Sequence, residues 1–488
     1  MTMTTPTLVT FVIYLAGMLV IGWLAYRMTA NLSDYVLGGR RLGPGVAALS
    51  AGASDMSGWL LLGLPGALYA AGMNQIWIGV GLVIGAYLNW QFVAKRLRVY
   101  TEVAQDAITV PDYLENRFKD HSKLLRVISA LVILLFFTFY TSSGMVAGAT
   151  LFEKSFGLDY QAALWIGAVV IVSYTFLGGF LAVCWTDFFQ GLLMFLALIL
   201  VPAMVIAANG GLDNTINSVG SIDPAKLDVF HEVGLFGIVS LMAWGLGYFG
   251  QPHIIVRFMA VRSSNDIPTA RLIGMSWMVL ALYGAIFTGL AGIAYFANNP
   301  LENPETVFIT LSQVLFNPWV AGVLLAAILS AIMSTIDSQL LVSSSALTED
   351  FYKAILRRSA SDKELVWVGR FTVLAIALIA ILLARDPEST VLGLVSYAWG
   401  GFGAAFGPVI ILSLFWSRMT RNGALAGIIV GALTVVVWKQ LSGGLFDMYE
   451  ILPGFILCAL TVVGVSLLGR EPGREIQAEF SQVVQALR

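Results

Sequence analysis

Three aspartates stand inside long apolar stretches of the sequence. Asp55 lies about ten residues into a run that starts near residue 45, Asp187 begins another run, and Asp337 lies within a third. An Asp at the centre of a membrane helix costs about 2.5 to 3.5 kcal/mol on insertion scales, so these residues are candidates for function. We interpret Asp55 as an acid that compensates a transported cation or lines its route. The alternative is a capping or internally hydrogen-bonded Asp at a helix break.

A row of small residues accompanies Asp337. Ala331, Ser334, Thr335 and Ser338 recur at i, i+3, i+4 and i+7, which places them on one face of a helix. Hydroxyl and free carbonyl oxygens suit a hard cation, but small Ser and Thr residues also pack membrane helices together. The spacing alone leaves both interpretations open.

Asp337 and Asp187 are predicted on the cytoplasmic side of this row. They either border the cytoplasmic exit of the ion or make structural hydrogen bonds. Tyr140, Trp244 and Tyr248 fall near the middle of apolar runs, away from the interfacial belts where membrane aromatics are expected. Each of these rings is either ordinary packing or part of the wall of a solute site.

Two apolar runs are interrupted near their middles. The run 45–71 contains Ala-Gly-Ala-Ser-Asp-Met-Ser-Gly, and the run 234–256 contains Trp-Gly-Leu-Gly-Tyr-Phe-Gly-Gln-Pro. Gly and Pro weaken a helix, so backbone groups near these points can be free for a ligand. The runs are five spans apart and therefore enter the membrane from opposite sides, as inverted repeats require.

The elements that hold these residues are membrane helices. Of 488 residues, 58% are hydrophobic and 11% are charged, against about 25% charged in a soluble domain. The apolar runs are continuous and about 20 residues long, which favours an all-α membrane protein over a barrel. We predict thirteen spans, at about 6–26, 45–71, 74–94, 124–150, 160–180, 186–208, 234–256, 273–296, 318–347, 368–384, 389–416, 423–440 and 451–469.

The distribution of basic residues gives the orientation. With the amino terminus outside and the carboxyl terminus inside, 23 of the 27 Lys and Arg residues fall in inside segments. This asymmetry is what the positive-inside rule predicts. Cys184 and Cys458 lie far apart, no Gly-Lys dipeptide of a P-loop occurs, and the three histidines are scattered. We therefore expect no disulfide framework, no metal cluster and no transport driven directly by ATP. We also expect that the protein is not an enzyme.

Four stretches resemble the sodium:solute symporter family over essentially the whole chain. They are Leu-Ser-Ala-Gly-Ala-Ser-Asp-Met-Ser-Gly-Trp-Leu-Leu from residue 49, Gly-Gly-Phe-Leu-Ala-Val from 178, Trp-Gly-Leu-Gly-Tyr-Phe-Gly-Gln-Pro-His from 244 and Arg-Met-Thr-Arg-Asn-Gly-Ala-Leu-Ala-Gly from 418. The resemblance implies a LeuT-type core of two inverted five-helix repeats, at 45–208 and 234–417. The other parts are then 1–44 (first helix and cytoplasmic loop), 209–233 (external loop), 418–470 (the last two spans) and 471–488 (cytoplasmic tail).

The resemblance also implies an activity, which is sodium-driven uptake of L-proline across a bacterial cytoplasmic membrane. It assigns sodium to the carbonyls of Ala53, Met56 and Ala331 and to the hydroxyls of Ser334 and Thr335, with Asp55 essential nearby. It places Ser57, Gly58, Trp59, Tyr140, Trp244 and Tyr248 around proline, and it gives Asp187 a role in sodium passage. The partners expected are proline, sodium and the lipid bilayer, with no nucleic acid and no obligate protein partner.

Two rival functions stay open from sequence. One is a sodium symporter for another amino acid, a sugar or a vitamin, and the other is a sensor or channel built on a transporter scaffold. The tail from Arg474 carries apolar residues at helical spacing, and we expect a short amphipathic helix there that lies in solvent or at the membrane interface.

Overall fold

The computed structural model describes residues 4–28, 32–175 and 179–488, so the predicted motif that begins at Gly178 lies partly outside the described residues. Regular structure in the described part is helical throughout, apart from one isolated parallel bridge between Leu42 and Val261. The α-helices are α1 (Thr5–Tyr26), α2 (Leu32–Leu37), α3 (Pro44–Asp55), α4 (Leu64–Ala71), α5 (Ile76–Leu88), α6 (Lys95–Val103), α7 (Val110–Phe118), α8 (Leu124–Phe156), α9 (Tyr160–Thr175), α10 (Phe180–Ala208), α11 (Leu212–Ile222), α12 (Gly234–Met242), α13 (Pro252–Ala260), α14 (Ile267–Tyr295), α15 (Val307–Leu315), α16 (Pro318–Ser345), α17 (Asp362–Leu383), α18 (Val391–Phe415), α19 (Arg421–Trp438), α20 (Ile451–Leu468) and α21 (Arg474–Ala486).

Shorter and wider turns join some of these helices. The 3₁₀ segments are Gly38–Arg40, Met73–Gln75, Pro224–Leu227, Ala243–Gly250, Ser264–Asp266, Pro304–Thr306 and Gly444–Asp447, and the π-helical segments are Trp59–Gly63, Asn89–Ala94 and Ala346–Leu356.

The helices agree with the predicted spans in place and type. Ten helices in the described part are long and apolar enough to cross a membrane. Three shorter apolar helices, Trp59–Ala71, Tyr160–Ser173 and Gly234–Gly250, lie in the other three predicted spans. The all-α membrane class is confirmed, whereas the total of thirteen spans stays a prediction.

Some boundaries differ from the sequence prediction. The helix α10 begins at Phe180, so Asp187 lies inside it and not at its start. The helix α13 continues to Ala260, so Arg257 lies within a buried helix, although the charge pattern assigned it to an inside loop. The predicted external loop 209–233 contains the helix α11, whose Thr215 and Val219 are buried.

Both interruptions lie where the sequence predicts them. The helix α3 ends at Asp55, and Met56 leaves helical geometry with ψ of 72° before the π-helical turn that leads to α4. In the second run, α12 tightens into the 3₁₀ segment Ala243–Gly250, Gln251 is extended, and Pro252 starts α13. Pro is well tolerated in that first-turn position because its missing N–H would have no helical partner there.

The interrupted segments lie at the centre of the helix packing. The helix α3 packs against α10, α13, α14 and α16, and the 3₁₀ segment Ala243–Gly250 packs against α5 and α18. A Cβ added at Gly85 of α5 would collide with the carbonyl group of Gly245. This glycine therefore permits the close backbone approach that small residues give membrane helices.

Loops predicted to share a side of the membrane contact one another. On the predicted inside, Arg40 donates to Asp106 and to the Met259 carbonyl, and Arg421 donates to Asp120. The predicted outside contains the hydrogen bonds from Trp77 to the Val229 carbonyl, from Tyr160 to the Ala384 carbonyl and from Gln313 to the Lys154 carbonyl. This segregation agrees with the predicted alternation of the spans.

The carboxyl-terminal tail forms the amphipathic helix that its spacing predicts. Val483 is buried in α21, and Phe480 lies against the ring of Tyr100 at 6.4 Å and against the Arg117 guanidinium. Lys119 forms an ion pair with Glu479. The apolar face of the tail therefore docks on the protein, against α6, whereas the sequence analysis expected a tail in solvent or at the membrane interface.

Candidate ion and solute site

The break after Asp55 leaves a backbone carbonyl that two side chains hold. The indole Nε1 of Trp59 donates to the Asp55 carbonyl oxygen at 3.1 Å, and the Tyr140 hydroxyl donates to the same oxygen at 3.4 Å. Since a helix end leaves carbonyls without intrahelical partners, these donors stabilise the interruption. Met56 and Ser57 follow directly and are buried.

The Asp55 carboxylate points to the second interrupted segment. Its Oδ2 accepts a hydrogen bond of 2.5 Å from the Tyr248 hydroxyl, and its Oδ1 has no hydrogen-bond partner among the described residues. A narrow cavity borders it, lined by Asn89, Trp90 and Met278 among others. Asn89 donates to the Tyr248 carbonyl at 3.0 Å, which fixes the loop that carries the tyrosine.

The hydroxyl face of α16 meets the other side of α3. Ser334 Oγ donates to the Ala53 carbonyl at 2.8 Å, and Thr335 Oγ1 approaches the same oxygen at 3.4 Å. Both hydroxyls also contact the Ala331 carbonyl at 3.2 Å. Two carbonyls and two hydroxyls thus converge at the joint between α3 and α16, a set of neutral oxygens of the kind that hard cations bind.

The two predicted parts of the ion site therefore lie on different faces of α3. The carbonyl of Ala53 faces α16, whereas the carboxylate of Asp55 bonds Tyr248 next to α13. The backbone of α3 connects Asp55 to the Ala53 carbonyl at the α16 joint.

The predicted aromatic residues come together beside the break. The Trp59 and Trp244 rings are 6.2 Å apart, and Tyr449 lies 5.2 Å from Trp244. A Cβ at Gly58 would lie 2.8 Å from Ala147 Cβ, so glycine lets α8, which carries Tyr140, approach the break closely. Flat rings with polar tips in an apolar enclosure suit a small solute with one polar end.

The sequence analysis did not identify two residues that lie beside these aromatic rings, Trp399 of α18 and Gln251 just before α13. Trp399 Nε1 donates to the Trp244 carbonyl at 2.7 Å, and its ring contacts the Tyr248 ring at 5.0 Å. Gln251 Nε2 donates to the carbonyls of Gly247 and Trp399, both at 3.1 Å. Their signal in the sequence was a polar or aromatic residue mid-span, but the contact with the site is tertiary.

The two remaining aspartates are buried on the side of the break that the sequence predicts to face the cytoplasm. Asp187 Oδ2 accepts hydrogen bonds from Ser50 at 2.7 Å and from Arg257 at 3.1 Å. Asp337, on α16, lies fully buried in the same region. Arg257 is the functional candidate that sequence reasoning missed here, because it was counted as a loop charge.

Comparison with known proteins identifies the family. The sequence profile of the sodium:solute symporter family matches residues 35–431. The chain belongs to the sodium:solute symporter family. Among relatives of this symporter, the sodium/proline symporter of Salmonella typhimurium is 58% identical over 488 residues, covering 99% of this chain and 97% of the relative. The high-affinity proline transporter PutP of Bacillus subtilis is 57% identical, covering 95% and 98%.

Solved structures support the same fold for this symporter. A Na⁺-coupled sialic acid symporter in a substrate-bound, outward-open state superposes with a TM-score of 0.81 at 19% identity, covering 96% of this chain and 99% of that one. The nucleobase-cation symporter Mhp1 in a closed conformation gives a TM-score of 0.55 at 14% identity, covering 93% and 100%. The predicted LeuT-type fold and the family resemblance are both confirmed, and the family makes Na⁺ the co-transported ion.

Proposed function

We propose that this symporter carries L-proline into the cell together with Na⁺ by alternating access. The observation that carries the proposal is the meeting of both interrupted segments at Asp55, where an ion-type oxygen set and an aromatic wall adjoin. The names of relatives that are 57% to 58% identical over nearly the whole chain support proline as the solute.

The sodium site of this proposal lies at the joint of α3 and α16. The carbonyls of Ala53, Met56 and Ala331 and the hydroxyls of Ser334 and Thr335 bind the ion. Asp55 supplies the negative field that draws it to the break. Without the ion, Ser334 donates to the Ala53 carbonyl, so an arriving ion replaces this hydrogen bond and takes both oxygens as ligands.

The proline site lies on the other side of the break, formed by Ser57, Gly58, Trp59, Tyr140, Trp244 and Tyr248. Trp59 and Tyr140 hold the same Asp55 carbonyl that ends α3. Sodium that binds next to the carboxyl end of α3 therefore also orders the rings of Trp59 and Tyr140. This makes the binding of sodium and proline cooperative.

During transport, the sodium and proline sites then open alternately to one side of the membrane and to the other. We assign the inverted repeats to 45–208 and 234–417, with the amino terminus outside and the carboxyl terminus inside the cell. Zwitterionic proline carries no net charge, so one sodium per proline makes the cycle electrogenic. A potential of 100 mV acting on one charge, about 2.3 kcal/mol, supports roughly fifty-fold accumulation.

Thermal unfolding of the purified protein tests the proposal. Proline at about 100 times its Kd should stabilise the protein by about 2.7 kcal/mol, and only with sodium present. A panel of other amino acids, sugars and vitamins, each in sodium and in choline chloride, gives the comparison. Sodium-dependent stabilisation by another solute, with none by proline, would assign a different substrate.

Variants of the hydroxyl face test the ion site in the same assay. Ser334→Ala and Thr335→Val should each raise, at least tenfold, the sodium concentration that is needed for half of the sodium-dependent stabilisation. Ser345→Ala is the matched control, because its hydroxyl is buried on the same helix but bonds only the Leu341 carbonyl. Equal sodium dependence in all three variants would move the ion away from this joint.

A further inference from the structure

The chain segment before α20 reaches the aromatic wall of the solute site from outside the two proposed repeats. The helices α19 and α20 form the last two predicted spans, which the repeats at 45–208 and 234–417 do not include. The helix α20 nevertheless packs against α18 and against the 3₁₀ segment Ala243–Gly250. Tyr449, which lies just before α20, extends this contact to the site. Its ring lies 5.2 Å from the ring of Trp244, with an angle of 39° between the two planes.

Two hydrogen bonds connect Tyr449 to two different helices. Its backbone N–H donates to Ser240 Oγ of α12 at 2.8 Å, and its hydroxyl donates to the Ser396 carbonyl of α18 at 2.6 Å. A Cβ added at Gly400 of α18 would lie 3.4 Å from Cε2 of the Tyr449 ring, so this ring fits closely against the helix. Tyr449 therefore bridges α12, which leads directly into the segment of Trp244, and α18.

The loop that carries Tyr449 is itself held in place. Trp438 Nε1 at the end of α19 donates to the Met448 carbonyl at 3.1 Å, and the Phe446 ring lies 4.8 Å from the Trp438 ring. Asp447 Oδ1 accepts a hydrogen bond of 2.8 Å from the Gly443 N–H. These contacts fix the backbone that leads into Tyr449, so its side chain is presented to the solute site from an ordered loop.

The backbone and the ring of Trp244 are held by different neighbours. Trp399 Nε1 donates to the Trp244 carbonyl at 2.7 Å, which fixes the backbone. The indole ring of Trp244 contacts the ring of Tyr449 on one side of the contact network and the ring of Trp59, at 6.2 Å, within the proposed proline site. Tyr449 is partly exposed, whereas Trp244 is buried. The Tyr449 ring thus covers part of Trp244 and limits the orientations that the indole can adopt.

We propose that Tyr449 is a positioning residue for solute binding, which orders the Trp244 ring and joins α12 to α18 beside it. The inference rests on the proline site proposed above, because Trp244 belongs to that site. A solute that binds to an ordered wall loses less conformational entropy than one that must first immobilise mobile side chains. The hairpin of α19 and α20 therefore contributes to solute affinity although it lies outside the repeats.

Equilibrium binding of labelled L-proline to the purified protein in saturating sodium tests this role. Tyr449→Leu removes both the ring and the hydroxyl, and it should raise the Kd of proline about tenfold or more. Tyr449→Phe keeps the ring and loses only the hydrogen bond to the Ser396 carbonyl. Its Kd should rise about twofold to tenfold, as the energy of one neutral hydrogen bond implies. Ser240→Ala removes the other hydrogen bond from the side of α12 and should have an effect of similar size.

Phe446→Leu is the matched control, because it makes the same kind of change in the same loop at a ring that contacts Trp438. It should keep the wild-type Kd. The rise in unfolding temperature that sodium alone produces should be equal in Tyr449→Leu and in the wild type, because the proposed ion site does not include Tyr449. The proposal is overturned if Tyr449→Leu and Ser240→Ala bind proline like the wild type. It is also overturned if Phe446→Leu weakens binding equally, or if Tyr449→Leu loses the sodium effect as well, since either result indicates a general structural role.

A second measurement needs no solute and so separates this inference from the proposed substrate. Hydrogen exchange of the backbone amides in Ala243–Gly250 is followed in the purified proteins without proline. Exchange reports how often a segment opens locally, so it should be severalfold faster in Tyr449→Leu than in the wild type and unchanged in Phe446→Leu. Equal exchange in Tyr449→Leu and the wild type would show that Tyr449 does not hold this segment, whichever solute is carried. Faster exchange in Tyr449→Leu, together with a wild type that does not bind proline, would support the role of Tyr449 and contradict proline as the solute.

Discussion

The hydrogen bond between Tyr248 and Asp55 links the two interrupted segments directly at the break after α3. The Tyr248 hydroxyl donates to a buried carboxylate at 2.5 Å. Hydrogen bonds to charged groups contribute about 1.5 to 3 kcal/mol. Without the Tyr248 hydroxyl, the Asp55 carboxylate loses the hydrogen bond that stabilises it. The relative position of the two interrupted segments depends on this hydrogen bond.

We therefore expect Tyr248→Phe to weaken sodium-dependent binding. The sodium concentration that half-saturates proline binding should rise about tenfold to a hundredfold, as the energy of the hydrogen bond implies. Titration of purified protein with sodium at fixed proline measures it. Tyr113→Phe is the control, because that buried hydroxyl bonds Ser413 far from the break. Unchanged sodium dependence in Tyr248→Phe would remove this hydrogen bond from the ion's energetics.

Gly58 gives a steric prediction at the same scale. A methyl group at Gly58 would lie 2.8 Å from Ala147 Cβ and 3.3 Å from Ile332 Cγ1. Overpacking of this kind costs about 1 to 3 kcal/mol. Gly58→Ala should lower the unfolding temperature and the proline affinity. Gly45→Ala in the same run has open space around it and should leave both unchanged. A Gly58→Ala protein that binds proline normally would show that the break is loosely packed.

Single residues were predictable from sequence where their type is rare in its surroundings. Asp55, Trp244 and Tyr248 stood out as an acid and aromatic rings in mid-span, and the structure brings all three together. Trp399 and Gln251 could not be found in this way, since their role comes from hydrogen bonds to the backbone of another span. Arg257 was missed because a boundary error of a few residues moved it out of the membrane.

The loop between α14 and α15, which is predicted to face outside, is fixed to the start of α18 by one carboxylate. Glu305 accepts hydrogen bonds from the backbone N–H groups of Val391 at 2.9 Å and Leu392 at 3.1 Å. A carboxylate at a helix N-terminus also interacts favourably with the helix dipole. Burial nevertheless raises the pKa of Glu305, because desolvation outweighs the two backbone hydrogen bonds that lower it.

This pKa shift gives a pH dependence with a defined sign. The stability that the protonated carboxyl contributes is present below the usual pKa of Glu, about 4.3, and is lost as pH rises through the raised value. The wild type should therefore lose stability relative to Glu305→Gln as pH increases upward from about 4.3. Thermal unfolding across pH 4.5 to 7.5 measures the difference.

The neighbouring acid of the same loop provides the control for that measurement. Glu302 is exposed, so Glu302→Gln should follow the wild-type curve at every pH. If Glu305→Gln also follows the wild type, burial does not raise the pKa of Glu305.

Elements were easier to predict than their ends. Long apolar runs fix the existence of a membrane helix, and the Gly- and Pro-containing motifs located both interruptions to within a few residues. The starts of α10 and α14 were not predicted, and neither was the helix α11 inside the loop 209–233. These boundaries depend on packing against neighbouring helices, which cannot be predicted from the local composition.

At the scale of the whole molecule, 23 of the 27 Lys and Arg residues fall in segments that are predicted to lie inside. This pattern predicts that the loop around Gly443 faces outside and that the tail around Gln477 faces the cytoplasm. Both positions are exposed. Starting from a protein without its two buried cysteines, Gly443→Cys should react in intact cells with a membrane-impermeant thiol reagent, and Gln477→Cys only after permeabilisation. The opposite labelling would invert the orientation.

The central claim is sodium-coupled uptake of proline, and a single flux measurement addresses it. Purified protein in proteoliposomes receives an inward sodium gradient and an inside-negative potential of 100 mV from a potassium gradient with valinomycin. The potential alone supports roughly fifty-fold accumulation of labelled L-proline for one sodium per proline. Accumulation should collapse when external sodium is replaced by choline. Proline uptake that proceeds at an undiminished rate in choline would contradict the account.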